Sequence, residues 1–133
     1  MAVINPYQTY QDNSVNTATP AELTLMLYNG CIKFIGQAKK AISEKNIEEK
    51  HINISKAQNI INELIVTLNM DIDISTEMKR LYDFINQRLI EANIKNELKL
   101  LEEAEGFVIE FRDTWKEVII INRKRQHAQG GLV

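Results

Sequence analysis

The segment from Thr19 to Ser43 carries two apolar stripes at helical spacing at once, and that doubling constrains the fold more than anything else in the chain. Leu23, Leu27, Gly30, Phe34, Ala38 and Ala41 form one stripe. Leu25, Tyr28, Ile32, Ile35 and Ile42 form a second beside it. Only Glu22, Asn29, Lys33, Gln37, Lys40 and Glu44 make a clearly polar face. A helix on the outside of a fold needs an apolar stripe about 100° wide. This one either packs against two neighbours or turns one stripe toward something outside the fold, and both readings stand at this level. Thr19 is suited to cap the helix, Pro20 to fill its first position, and Glu22 to close a capping box, so a helix is predicted from Pro20 to Ser43.

Three further segments repeat the helical period. Asn46 with Glu49 predicts a second helix from Ile47 to about Asn69, with Ile47, Ile54, Ala57, Ile61, Leu64 and Leu68 inward and Ile60 and Ile65 beside them. The link 70–74 has apolar residues two apart, compatible with a short extended piece. Ser75, followed by Glu77, predicts the start of a third helix that ends near Ile94, with Met78, Leu81, Tyr82, Ile85, Leu89 and Ala92 inward. Asn96 predicts the start of a fourth, ending near Asn122, with Leu98, Leu101, Ala104, Val108, Phe111, Trp115 and Val118 inward and Leu100, Phe107 and Ile121 broadening the stripe. Helices of this length with short connections predict an all-α fold, an elongated antiparallel four-helix bundle with an N-terminal arm. The expected division is an arm at 1–18, a bundle at 19–122 and a flexible basic, Gly-containing tail at 123–133.

Composition narrows the function. With 5 Gly and 2 Pro in 133 residues, the chain lacks the turn formers of a sandwich or barrel. A net charge of −2 gives no reason to expect nucleic acid as the partner. The basic run Arg123-Lys124-Arg125 is read as complementing the negative end of the last helix. The longest apolar run, Val118 to Ile121, is far too short to insert into a membrane, and no signal peptide opens the chain. A single cysteine, Cys31, permits no internal disulfide and fits a reducing compartment, so the chain is expected to be soluble and cytoplasmic.

Catalytic and metal chemistry find little support. A di-metal carboxylate bundle needs Glu-x-x-His on two helices. Glu48-x-x-His51 supplies one, and the other histidine, His127, has Lys124 in the glutamate position. There is no Gly-rich phosphate loop, and no Ser or Thr in a strand-to-helix elbow. Cys31 has no histidine on its helix face. The expectation is a protein that is not an enzyme and uses no metal or other cofactor. The alternatives in other classes are a helical regulatory adaptor, for which His51 lies too near a helix start to serve as a phosphorylated mid-helix residue, and a self-associating structural bundle.

Binding is the more positive reading. Tyr7, Tyr10 and Val15 give the polar N-terminal arm apolar anchors, and a tyrosine ring with a polar tip suits docking on a half-wet surface. On the bundle, the apolar surplus nominates one outward stripe of the first helix, Tyr28, Ile32, Ile35 and Ile42, with Ile65 and Leu68 from the second. These nine residues are the candidate partner-binding set.

Tyr7, Tyr10, Val15, Thr17-Ala18-Thr19-Pro20, Leu23 and Met26-Leu27-Tyr28-Asn29-Gly30 resemble the N-terminal signature of the flagellin export chaperones, the FliS family. Asn29 stands where that family commonly has Asp. Length and helical pattern extend the resemblance over essentially the whole chain, although the specific motif is confined to its first quarter. The resemblance implies a cytosolic, ATP-independent chaperone that binds the disordered C-terminal segment of flagellin, prevents premature polymerisation and supports delivery to the flagellar type III export apparatus. It also implies that the export apparatus and regulators of flagellin levels join through flagellin.

Overall fold

The computed structural model describes residues 18–130. Four helices follow one another: α1 (Pro20–Ser43), α2 (Ile47–Val66), α3 (Asp73–Lys95) and α4 (Leu98–Gly130). Each packs on its sequence neighbours, and α4 returns to pack on α1. The result is the expected up-and-down four-helix bundle, and no strand occurs among the described residues. The arm residues Tyr7, Tyr10 and Val15 lie outside the described residues.

α1 begins and ends where its sequence predicts. The Thr19 hydroxyl accepts the Glu22 N–H at 3.2 Å, satisfying one of the donors left over at a helix start. Glu22 does not complete the capping box, because its carboxylate pairs with Arg123 of α4 instead. At the other end Lys45 takes a left-handed conformation (φ 56°), and the Lys45 and Asn46 N–H groups donate to Ile42 and Ala41. That backbone reversal is the usual way to satisfy the last carbonyls of a helix. It leaves room for a short turn into Asn46, whose side chain accepts the Glu49 N–H and caps α2.

Four boundaries differ from expectation, each for a local reason. α2 ends at Val66 rather than near Asn69, where Thr67 turns its hydroxyl back onto the Leu64 carbonyl at 2.9 Å. α3 starts at Asp73, before Ser75. Asn69 gathers the Asp71 N–H on its side chain and the Ile72 N–H on its carbonyl, and this turn takes the place of an extended link. Ser75 is therefore a buried residue of the first turn and not the cap. Asn96 ends α3 instead of starting α4. It adopts φ 56°, which asparagine tolerates better than most residues, and its side chain accepts a hydrogen bond from the Lys50 ammonium. α4 also continues past Asn122 to Gly130, because 123–129 contains no Gly or Pro to stop it. Residues 123–130 thus prolong the helix instead of forming an irregular tail.

The two-neighbour reading of α1 is the one realised. Tyr28, Cys31, Phe34, Ile35, Ala38 and Ala41 are buried against α2 and α4. They join Ile54, Ala57, Ile60, Ile61 and Leu64 of α2, Tyr82, Ile85, Leu89 and Ala92 of α3, and Leu100, Leu101, Ala104 and Val108 of α4 in one core. Two stripe assignments need correction. Ile47 is 66% exposed, because the first residue of α2 sits at the end of the bundle with no helix beyond it. Ile121 is half exposed, while Ile119 turns inward in its place. Ile35→Ala is therefore expected to destabilise by about 2–5 kcal/mol through the cavity it leaves, whereas Ile47→Ala should shift stability by no more than about 0.5 kcal/mol. Paired urea-unfolding curves check both.

Candidate functional site

The partner-binding residues nominated on the bundle divide once placed. Tyr28 and Ile35 are 1% and 0% exposed, so they do not form an outward stripe. α1 is clamped on two sides, and the stripe that looked surplus is the part that meets the second neighbour. Ile32, Ile42, Ile65 and Leu68 are half-buried and pack on the margin of the core. Ile42 also lines a pocket of about 270 Å³ at the α1–α2 turn, with Lys45, Ile47, Lys50 and Asn96. These four do not meet in one groove, since Leu68 belongs to the link beyond α2 and Ile42 to the opposite end of the bundle.

A continuous apolar groove lies elsewhere, between α3 and α4. Two adjoining hollows of about 400 and 380 Å³ share Leu81, Phe111 and Thr114. The first extends to Phe107 and Glu110. The second extends to Ile74, Glu77, Met78, Trp115 and Val118, with Tyr28 at its floor. Phe84 meets Phe107 edge-on at 5.5 Å beyond the first hollow, and Arg88 lies over the Phe84 ring at 5.0 Å. The walls are therefore aromatic and aliphatic, with acidic Glu77 and Glu110 on the two helices and a cation at one end. Such a surface suits the apolar face of an amphipathic segment better than a small polar substrate.

The groove is held open from below. Tyr28 and Tyr82 hydroxyls share a 2.6 Å hydrogen bond in the core. Phe111 roofs the pair, stacked on Tyr28 at 5.9 Å and tilted on Tyr82 at 5.1 Å. Trp115 donates its indole N–H to the Ala21 carbonyl at 2.8 Å, which fixes one wall of the groove to the first turn of α1. The residues after Ala18 thus enter the bundle beside the groove. The groove was hard to find in the sequence because Met78, Leu81, Phe111 and Trp115 share the period of true core residues. The available signal was their bulk. Four large side chains at the inward positions of two neighbouring helices fill more space than the interhelical gap provides.

Nothing in this region is arranged for bond-making. Among the described residues no group of three His, Cys, Asp or Glu side chains could hold a metal. His51 is exposed and engaged with Asn93 at 3.0 Å. Cys31 is fully buried with its thiol against the Ala57 carbonyl, and burial pushes its pKa up from the usual 9.0 to about 12, opposite to what a nucleophile needs. Also among the described residues, no helix is long and apolar enough to cross a membrane.

Two measurements follow from the buried hydroxyls. Tyr28→Phe or Tyr82→Phe alone strands the other hydroxyl in the core and should destabilise by about 1–3 kcal/mol, while the double replacement should cost less than the sum. Burial also raises the pKa of both tyrosines above the usual 10.0, the Tyr28–Tyr82 bond partly opposing this at Tyr28 and reinforcing it at Tyr82. The unfolded chain then releases protons that the folded chain keeps. Stability is intact below the unfolded pKa values and falls as pH rises, first through Cys31 from about 9 and then more steeply through the tyrosines from about 10. Melting temperatures across this range should fall accordingly, and Cys31→Ala should remove the earlier part of the fall.

Comparison with known proteins agrees with the architecture and the N-terminal motif. The profile of the family described as Flagellar protein FliS matches residues 3–122. The chain is 55% identical over 132 residues to the flagellar secretion chaperone FliS of Bacillus subtilis (strain 168), covering 99% of both chains. It is 31% identical over 110 residues to the flagellar secretion chaperone FliS of Salmonella typhimurium, covering 80% of this chain and 82% of that one. A solved structure described as a flagellar chaperone from bacteria superimposes with a TM-score of 0.71 at 22% identity, over 85% of this chain and 94% of that one, and supports the fold. These relatives are chaperones and not enzymes. The chain belongs to the FliS family of flagellar proteins.

Proposed function

We propose that this chain is a cytoplasmic export chaperone that binds the disordered C-terminal segment of flagellin, prevents its premature polymerisation and supports its delivery to the flagellar type III export apparatus. The observation that carries this reading is the apolar groove between α3 and α4 in a member of a secretion-chaperone family. From Phe107 to Val118, α4 spans about 17 Å at a helical rise of 1.5 Å per residue, so the groove accommodates about three turns of a client helix. An amphipathic segment would lay its apolar face on Leu81, Phe111 and Trp115 and meet Glu77 and Glu110 with flanking polar or basic residues. Ordering the client costs roughly 2–5 kcal/mol of the gross contact energy, which keeps the complex reversible enough for hand-over. Regulators of flagellin levels and the export apparatus would then meet this chain through the bound flagellin.

The arm completes the reading. The arm anchors Tyr7, Tyr10 and Val15 belong to a segment joined to α1 beside Trp115, and they serve as a cover for the empty groove that leaves when the client arrives.

Titration calorimetry with a peptide of the flagellin C-terminal segment tests the site. Ile74 lines the groove yet is 61% exposed, and Ile94 is 74% exposed away from it. Ile74→Glu should weaken binding roughly tenfold or more, the effect expected of a charge buried in an apolar contact, with little change in melting temperature. Ile94→Glu should leave binding unchanged. Equal effects of the two, or none from either, would place the client elsewhere. Deleting the residues before Val15 should raise both the affinity for the peptide and the binding of an apolar dye by the free protein. A chain that responds to the deletion in neither way has no such cover.

A further inference from the structure

Lys50 is a buried cation that meets no carboxylate among the described residues. Only 4% of the residue is exposed. Its ammonium donates to the Asn93 carbonyl at 2.8 Å and to the Asn96 side-chain oxygen, and both acceptors are neutral. An ammonium has three N–H donors, so one is left without an acceptor among the described residues. No ion pair reaches Lys50 there either. The acids close to it in sequence or at the same end of the bundle serve elsewhere. Glu44 lies 3.9 Å from Lys40, Glu49 takes the Asn53 amide at 3.5 Å, and Glu48 and Glu97 are exposed. The C-terminal end of α3 offers about half a negative charge, which offsets the ammonium only in part. A buried ion is ordinarily paired in full.

The same lysine lines the pocket of about 270 Å³ where α1 turns into α2. Ala41, Ile42 and Ile47 form the apolar part of the lining. Lys45, exposed and outside any ion pair among the described residues, adds a second cation. A buried ammonium beside aliphatic side chains suits a molecule with one anionic end and one apolar end. At about 30 Å³ for each water-sized group, the pocket has room for about nine non-hydrogen atoms. Inorganic phosphate fits less well. It calls for several donors around it, and much of this lining offers only methyl and methylene groups.

We infer that the pocket lined by Ile42, Ile47 and Lys50 binds a small aliphatic carboxylate, a free acid of about four to eight carbons. Its carboxylate sits on the Lys50 ammonium and its chain lies on Ile42 and Ile47. The acid supplies the counter-charge that the chain does not. Lys50 already joins α2 to the end of α3, so a ligand that completes its pairing stabilises the folded bundle. The pocket shares no residue with the groove between α3 and α4, and the inference does not rest on what that groove holds.

Titration of the ¹⁵N-labelled full chain with sodium hexanoate at constant ionic strength, followed by amide chemical shifts, tests the site. The amides of Ile47, Lys50 and Asn96 should shift and saturate with a Kd between about 0.1 and 1 mM, the range that ligand efficiency allows so small a molecule. Hexanol keeps the chain without the charge, and phosphate keeps the charge without the chain. Each should bind roughly tenfold more weakly. Hexanoate should raise the melting temperature and phosphate should not. Ile47→Glu places a carboxylate three residues before Lys50, within reach across one helical turn, and should weaken hexanoate binding roughly tenfold. Ile47 is 66% exposed, so circular dichroism should show this variant as helical as the parent. Lys50→Met should abolish the preference for hexanoate over hexanol. If that variant loses its fold, Ile47→Glu and the hexanol comparison still decide. Hexanoate shifts that do not saturate, or that fall around Phe111 instead, overturn the inference. So does hexanol or phosphate binding as tightly as hexanoate, or an Ile47→Glu chain that binds like the parent.

Discussion

A hydroxyl buried without a partner is costly, and the pair at Tyr28 and Tyr82 is where that constraint bears on the whole bundle. Their bond at 2.6 Å joins α1 to α3, which are diagonal partners and not neighbours in the square of helices. Neither tyrosine can shift by a helical turn without leaving a hydroxyl stranded. Phe111 of α4 packs on both rings, so three helices take their axial register from one cluster. The groove inherits its floor from the same cluster. A change of register that moved Tyr82 would also move Phe111 and with it the shared wall of both hollows.

Side-chain size then decides which pair of helices closes and which stays open. α1 and α2 approach through Cys31, Ala38, Ala41 and Ala57, and the thiol of Cys31 reaches the Ala57 carbonyl. Small residues permit that closeness. α3 and α4 meet through Ala92 and Ala104 near their connection, but through Met78, Leu81, Phe107, Phe111 and Trp115 farther along. Rings of that size cannot all be enclosed between two helices, so they remain half-buried and line a trough. Lys50 shows the complementary case of a polar group fully enclosed. Its ammonium donates to the Asn93 carbonyl and the Asn96 side chain, closing the end of α3 and holding α2 to it where apolar packing runs out.

The helices were legible from the sequence because period and capping chemistry are local. Thr19, Pro20 and Asn46 mark ends that the structure keeps. Ser75 and Asn96 mislead because each has a second use that depends on distant or neighbouring groups. Asn69 starts the α3 turn early, and Lys50, from another helix, makes Asn96 a terminator. The apolar surplus on α1 was equally ambiguous. Two stripes on one helix say that two surfaces are needed, but not whether the second is another helix of the same chain. Tyr28 and Ile35 answer to α4 and the core, and that is a statement about topology that periodicity does not contain. The half-buried rings of α3 and α4 have the inverse problem, since a residue that lines a groove and one that fills a core follow the same period. Only the spacing between helices separates them.

If the arm covers the groove, its tether sets how well it must fit. A segment joined to α1 a few residues from Trp115 meets the groove at an effective concentration on the order of millimolar. A contact with even modest intrinsic affinity would then keep the groove closed most of the time, and every increment would be subtracted from the affinity of the client. Two tyrosines and a valine spaced along a polar arm would form a contact of that modest kind. A client helix of about three turns buries more apolar surface along the groove. On that reading the exchange would run toward the client without a separate source of energy. It would also run back once the client is drawn away, because the arm is covalently joined to the start of α1. Strengthening the arm's anchors would protect the empty groove better and make the same protein a poorer carrier, so a sparse arm beside a broad groove would be the combination that serves both states.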